Sequence, residues 1–123
     1  METKTYEELL SMSPLELLDY LKNEFMIDTP IEIVSVEDMD KCSRLLLRLS
    51  GAYSYLITLS SYAKIKTREM KRGGDKALYE DMVDRKEVIQ NMTDMVKQAY
   101  TGISRAVTIH IENNHELKTL GIQ

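Results

Sequence analysis

Residues 56–92, LITLSSYAKIKTREMKRGGDKALYEDMVDRKEVIQNM, contain the turn that decides the fold, because two helical patterns meet there at a pair of glycines. A Lys-Arg pair, which suits the negative end of a helix, precedes Gly73-Gly74. The glycines supply the left-handed turn that ends a helix, and Asp75 starts the next one. Because two long helices joined by so short a turn must fold back on each other, the sequence predicts an antiparallel helical hairpin.

An apolar seven-residue repeat runs through both helices and predicts a coiled-coil-like seam between them. We expect the first helix over residues 36–72, roughly 55 Å at the helical rise per residue, and the second over residues 75–120. The first seam comprises Cys42, Leu49, Leu56, Ala63 and Met70 with Leu45, Ala52, Leu59 and Lys66. The second comprises Met82, Ile89, Val96, Ile103, His110 and Leu117 with Leu78, Arg85, Met92, Ala99, Ala106, Asn113 and Leu120.

Upstream of the hairpin, residues 5–26 carry a helical pattern that breaks once. Ser13 is a suitable N-cap and Pro14 suits the first position of the following helix. Residues 27–34 contain a proline and alternate apolar with polar side chains, so we expect them to be extended. Ser35 is the predicted cap of the first hairpin helix.

The length of 123 residues fits one domain, which we expect to be all-α. Residues 1–34 form a short acidic N-terminal segment packed on the hairpin of residues 35–123. Residues 1–40 hold eleven acids and two bases, a balance of −9, whereas residues 41–123 hold nine acids and fourteen bases, a balance of +5. We expect the acidic residues 1–40 to dock on the basic body, within one chain or between two, or both to be simply solvated faces.

The sequence predicts a cytoplasmic protein. No apolar run approaches the ~20 residues of a membrane-spanning helix. The polar, acidic start of the chain is unlike a signal peptide. Cys42 is the only cysteine, which rules out a disulfide within the chain and suits a reducing compartment.

No residue pattern predicts an enzyme, a cofactor or a metal ion. Cys42 falls in the seam with no histidine near it, so we expect a small buried apolar side chain rather than a nucleophile. His110 and His115 are five residues apart, which places them off a common helix face. Glu112 and His115 match half of a di-iron bundle motif, but a second copy would have to come from a symmetric dimer. A solvated helix end is the expected reading.

The hairpin carries more apolar residues than one seam requires. A helix that is apolar on most of its sides is covered on several sides, and residues 1–34 look too short to cover both helices. We therefore expect a homodimer or larger bundle; a compact monomer is the alternative. Gly51 and Gly102, inside helices, fit a close helix approach. The predicted self-association or partner surface comprises Leu46, Leu47, Tyr53, Tyr55, Ile57, Met95, Tyr100, Val107 and Ile109.

A basic patch near the hairpin turn is the candidate nucleic-acid site. Tyr62 and Tyr79 flank it and could stack on bases. Neighbouring acids dilute its field, and the pI of about 5.2 differs from that of a dedicated nucleic-acid binder. A solvated helix tip is the alternative. The patch comprises Lys64, Arg68, Lys71, Arg72 and Lys76.

Three stretches, YSYLITLSSYAKIKTRE at 53–69, EDMVDRKEVI at 80–89 and ISRAVT at 103–108, resemble small helical proteins carried by phages and prophages of Gram-positive bacteria. The resemblance implies a factor in the host cytoplasm, and it carries over no catalytic residue. Such proteins are accessory factors of phage replication or recombination, or inhibitors of host proteins.

Three functions therefore stay open. The first is a non-enzymatic interaction factor that self-associates and binds or inhibits a bacterial or phage protein. The second is a nucleic-acid accessory factor that uses the basic patch. The third is an assembly or scaffolding subunit.

Overall fold

A computed structural model of the chain describes residues 4–25 and 36–119, with side chains described at 4–25 and 38–113. The described residues form four helices and no strand: α1 (Tyr6–Ser11), α2 (Pro14–Phe25), α3 (Val36–Gly73) and α4 (Lys76–Thr119). Helices α3 and α4 pack against each other as an antiparallel pair, and α1 and α2 pack on them. The all-α class and the long helical hairpin are therefore confirmed. The extended stretch at 27–34, the Ser35 cap and Leu120 lie outside the described residues, as does the side chain of Leu117.

The turn of the hairpin has the predicted form. Gly74 adopts a φ of +79°, in the left-handed region that L side chains rarely occupy. The Asp75 carboxylate caps α4, because its Oδ1 accepts a hydrogen bond from the Leu78 backbone N at 3.2 Å. Both helix ends fall within one residue of the prediction.

The core follows the predicted seam. Leu49, Leu56, Leu59 and Ile89 are fully buried, and each such side chain stabilises the fold by about 1.5–3 kcal/mol relative to exposure. Three small polar side chains are also buried: Ser60 and Thr67 on α3 and Thr93 on α4. The hydroxyls of these two threonines each donate to the backbone carbonyl four residues earlier at 2.7 Å, so they add no unpaired polar group.

Two predicted seam positions of α4 are solvated. Leu78 is about half exposed because it lies in the first turn of α4, opposite the exposed last turn of α3. Asn113 is also exposed, as expected for a polar residue near the end of the helix. His110, in contrast, is half-buried.

The N-terminal helices are held on the hairpin by burial and by long-range hydrogen bonds. Ser13 Oγ accepts a hydrogen bond from the Glu16 N at 3.2 Å, which confirms the predicted helix break and cap. Leu17 and Leu21 of α2 are fully buried in the common core. The Nε of Arg85, a polar interruption of the seam, donates to the Met12 carbonyl at 2.7 Å. Arg85 therefore anchors the α1–α2 junction on α4.

No helix of the described chain has the length and apolar character needed to cross a bilayer.

The seam predicts a large difference between buried and exposed leucines. Leu56→Ala leaves a cavity at a fully buried position, so we expect it to lower the free energy of unfolding by about 2.7–5 kcal/mol. Leu15, also on a helix but 76% exposed, is the matched control, and its change to alanine should cost under ~0.5 kcal/mol. Urea unfolding followed by circular dichroism measures both. Equal losses of unfolding free energy in the two variants would contradict the burial of Leu56 in the seam.

Candidate protein-interaction surfaces

An aromatic cluster joins the N-terminal segment to one side of α3. The Tyr6 ring lies 5.5 Å from that of Tyr55 and 5.7 Å from that of Tyr62, and the Phe25 ring lies 5.9 Å from Tyr55. The Tyr62 hydroxyl donates to Glu7 Oε1 at 3.1 Å. Tyr6 and Phe25, near the two ends of the described residues 4–25, therefore contact the same side of α3 through their aromatic rings.

The aromatic cluster changes the acidity of its phenols. Burial raises the pKa of Tyr55 to about 12, with smaller contributions in the same direction from the neighbouring Tyr20, Tyr6 and Glu24. Burial and the hydrogen bond to Glu7 raise the pKa of Tyr62. Both hydroxyls therefore stay protonated at neutral pH, and that of Tyr62 donates its proton to Glu7.

A groove of about 430 Å³ lies between the C-terminal part of α2 and the middle of α3. Leu47 lies at the edge of this groove, and 76% of the Leu47 surface is exposed. Glu24 and Arg48 contribute one negative and one positive charge, and neither forms an ion pair with a described residue. This groove, called the α2–α3 groove below, is lined by Tyr20, Glu24, Phe25, Leu47, Arg48, Gly51, Ala52 and Tyr55.

Among the described residues, no close contact explains why glycine occupies two positions inside the long helices. A Cβ built on Gly51 or on Gly102 meets no heavy atom within 4 Å. The expectation that close helix approach explains them is therefore wrong for contacts among described residues. The paired helices are separated by side chains of the seam, and both glycines lie outside that seam. Gly51 instead lies on the wall of the α2–α3 groove.

The opposite side of the hairpin is not covered by α1 or α2. Tyr53 and Tyr55 are two residues apart on α3 and therefore point about 160° apart, so Tyr53 lies across the helix from the aromatic cluster. Two depressions of about 330 and 350 Å³ share Tyr100 and Thr101; the first lies between α3 and α4, and the second adjoins it on α4. This surface, called the open face below, comprises Ser50, Tyr53, Lys97, Tyr100, Thr101, Ser104, Arg105 and Thr108, together with the exposed Ile57, which lies one helical turn after Tyr53.

The open face carries positive charge and no carboxylate. No Asp or Glu occurs in residues 41–68 of α3 or in residues 95–111 of α4. Lys97 and Arg105 lie at its border, beside tyrosine, serine and threonine side chains. The predicted apolar surface included the tyrosines of the open face but not its two cations. The two runs without Asp or Glu are the sequence signal that could have identified these cations.

The predicted apolar surface is divided between core and solvent. Leu46, Tyr53, Tyr55 and Val107 are half-buried and pack against the core. Leu47, Ile57, Met95, Tyr100 and Ile109 are exposed. The structure therefore does not gather the nine residues into one patch: Leu47 and Tyr55 line the α2–α3 groove, whereas Tyr53 and Tyr100 line the open face. Ile57 lies one helical turn after Tyr53.

The basic patch lies at the hairpin turn with its side chains exposed. Lys76 lies 4.0 Å from Glu80, the longest of the described ion pairs. Tyr79 is half-buried. Tyr62 is also half-buried, engaged by Tyr6 and Glu7, with Lys66 Nζ 5.5 Å from its ring centre. Tyr62 is therefore poorly placed to stack on a base. The other predicted members, Lys64, Arg68, Lys71 and Arg72, are exposed.

Cys42 is fully buried in the seam, as expected. Burial, with the nearby Asp38 carboxylate, raises the pKa of its thiol, which keeps the sulfur protonated and poorly nucleophilic at neutral pH. Among the residues whose side chains are described, no three His, Cys, Asp or Glu side chains come together in a way that could hold a metal ion. The His115 side chain lies outside them.

Comparison with known proteins returned no family model, no curated protein and no solved structure that matches this chain.

The raised pKa of Tyr55 predicts a loss of stability in alkali. Because its folded-state pKa of about 12 exceeds the usual 10, the phenol ionises more readily in the unfolded chain. Its contribution is therefore complete below pH 10 and is lost as the pH rises towards 12. We expect Tyr55→Phe to show a smaller fall in the urea midpoint between pH 9 and pH 11.5 than the parent chain. Tyr79→Phe is the control; an identical fall in both variants would contradict this assignment.

Proposed function

We propose that this protein is a non-enzymatic interaction factor that self-associates and binds or inhibits another protein. The single observation that carries the proposal is the α2–α3 groove, where an exposed leucine and two oppositely charged side chains surround a helical glycine. The resemblance to phage-carried helical proteins supports a bacterial or phage protein as the partner.

The α2–α3 groove suits a second copy of the chain. In a twofold interface the same surface meets itself, so a residue that touches a given neighbour is touched by that neighbour in return. A groove with one acid and one base is self-complementary in this sense, because Glu24 of each copy meets Arg48 of the other. Leu47 and Phe25 supply the apolar area that drives association.

Self-association through the α2–α3 groove leaves the open face accessible for a different protein. Tyr53 and Tyr55 point to nearly opposite sides of α3, so a copy seated against Tyr55 stays clear of Tyr53. A dimer built this way presents two open faces. Dimerisation and partner binding are then separate events on separate surfaces.

Charge reversal tests the α2–α3 groove. Arg48→Glu places like charges across the proposed interface, so we expect it to weaken dimerisation about ten-fold or more. Glu24→Arg should do the same, and the double variant should restore association. Sedimentation or light scattering over a range of protein concentrations measures this.

Lys22→Glu, on the exposed side of α2, is the matched charge control and should leave association unchanged. A parent chain that stays monomeric at high concentration would contradict the proposed self-association. If Lys22→Glu weakened dimerisation equally, the α2–α3 groove would not be the site of self-association.

Gly51 gives an independent test in which stability and association change in opposite directions. Because a Cβ there meets nothing, Gly51→Ala should stabilise the monomer by about 0.5–1 kcal/mol through helix propensity. If a second copy packs over Gly51, the added methyl group weakens the dimer. Thermal unfolding at low concentration and light scattering at high concentration separate the two effects.

Gly102→Ala is the control, because Gly102 is also helical and free of neighbours but does not line the groove. We expect it to stabilise the monomer equally and to leave the dimer intact. Unchanged dimerisation of the Gly51→Ala variant would contradict the proposal that a second copy packs over Gly51.

A further inference from the structure

The open face is a surface that the described helices of the chain leave uncovered. A pair of antiparallel helices has a groove on each side, and α1 and α2 cover the side that carries Tyr55 and Tyr62. On the other side Ile57 is 42% exposed and Tyr100 is 40% exposed. An additional helix laid along this side would cover the hairpin on both sides, so that α3 and α4 bury their apolar residues against neighbours on each side.

The positive charges of the open face favour a negatively charged partner. Lys97 and Arg105 lie eight residues apart on α4, about 12 Å along the axis, and none of the residues from 95 to 111 is acidic. A covering helix with carboxylates about two turns apart would meet both cations. Its apolar stripe would meet Ile57, Tyr53 and Tyr100.

A second copy of the open face does not fit this surface. Packing the face on itself would bring Lys97 and Arg105 towards the same two cations of the other copy, with no acid between them. Like charges brought together in an interface oppose association. The surface is thus unlike the α2–α3 groove, whose acid and base complement each other.

Nucleic acid is also a poorer match. Binding to a phosphate backbone relies on many cations in a row, whereas only two border this face. The exposed Ile57 has no counterpart in a phosphate backbone but suits an apolar helix stripe.

The chain's own N-terminal segment is an acidic, amphipathic sequence that packs on the other side of the hairpin. Residues 4–25 contain five carboxylates and two lysines, and their helices pack on the hairpin by leucine and tyrosine contacts. One carboxylate, Glu7, accepts a hydrogen bond from the Tyr62 hydroxyl. An acidic amphipathic helix is therefore a type of ligand that this hairpin already holds.

We propose that the open face is the docking site for an acidic amphipathic helix of the partner protein. The helix lies along the groove between α3 and α4, with its apolar stripe on Tyr53, Ile57 and Tyr100 and its carboxylates towards Lys97 and Arg105. This inference rests on the proposed interaction function and names the surface and the partner's chemistry.

A pair of labelled peptides of about 20 residues tests the charge requirement, since that length permits a helix. Both carry the same leucine stripe at helical spacing; one carries glutamates elsewhere and the other lysines. We expect fluorescence anisotropy on the full chain to show binding of the acidic peptide at least ten-fold tighter than the basic one, weakening as salt is raised. Equal affinities would overturn the proposal.

Variants locate the peptide on the molecule. Arg105→Glu should weaken binding of the acidic peptide about ten-fold, and Arg105→Lys should largely retain it. Arg68→Glu makes the same charge change on the exposed face near the turn and should have no effect. Equal weakening by Arg68→Glu, or none by Arg105→Glu, would overturn the assignment to the open face. Circular dichroism of each variant checks folding.

A photoreactive phenylalanine derivative in place of Tyr100 gives a readout that does not depend on charge. We expect it to cross-link to the acidic peptide, and an identical derivative in place of Tyr79, beside the turn, to give no cross-link. Efficient displacement of the peptide by single-stranded DNA, with a cross-link from position 100 to that DNA, would reassign the face to nucleic acid and overturn the proposal. Light scattering on the same samples reports self-association separately, so a failed peptide test with an intact dimer removes only this inference.

Discussion

The backbone of Gly74 holds a φ of +79°, and the whole hairpin is arranged around that residue. A side chain at this position would cost about 1–2 kcal/mol, so the turn needs glycine. The turn brings α4 back along α3 and sets their register. Leu59 and Ile89, both fully buried, each lie fifteen residues from Gly74. A shift in the turn would move every apolar side chain of one helix away from its partners on the other.

Pairing α3 with α4 creates two grooves, and the chain itself fills one of them. Leu17 and Leu21 supply the apolar surface for that packing, and Arg85 fixes its position by donating to the Met12 carbonyl at 2.7 Å. The result is an unequal molecule, with aromatic contacts and an acidic segment on one side and an acid-free tyrosine-bearing face on the other. This inequality underlies the proposal of separate surfaces for self-association and for the partner.

Much of the fold was predictable because it depends on local patterns. The seven-residue repeat identified the buried leucines of the seam, and Ser13 and Asp75 marked the helix starts that hydrogen bonds now confirm. The surfaces were less predictable. Leu47 and Tyr55 lie in the predicted apolar set, but only packing of α2 showed that they share a groove with Glu24 and Arg48. The role of Arg85 was also hidden, since its partner is a backbone carbonyl 73 residues away in sequence.

The sequence by itself determined the all-α class, the turn and the seam, because helix periodicity, capping residues and glycine conformation act over a few residues. Tertiary structure alone decided which side of the hairpin α1 and α2 cover, and therefore which apolar residues face solvent. Periodicity places a residue at an angle on its helix but does not say which neighbour lies at that angle. Tyr53 and Tyr55 make the difference plain: both are half-buried tyrosines of one helix, yet one packs with the N-terminal segment and the other lines the open face.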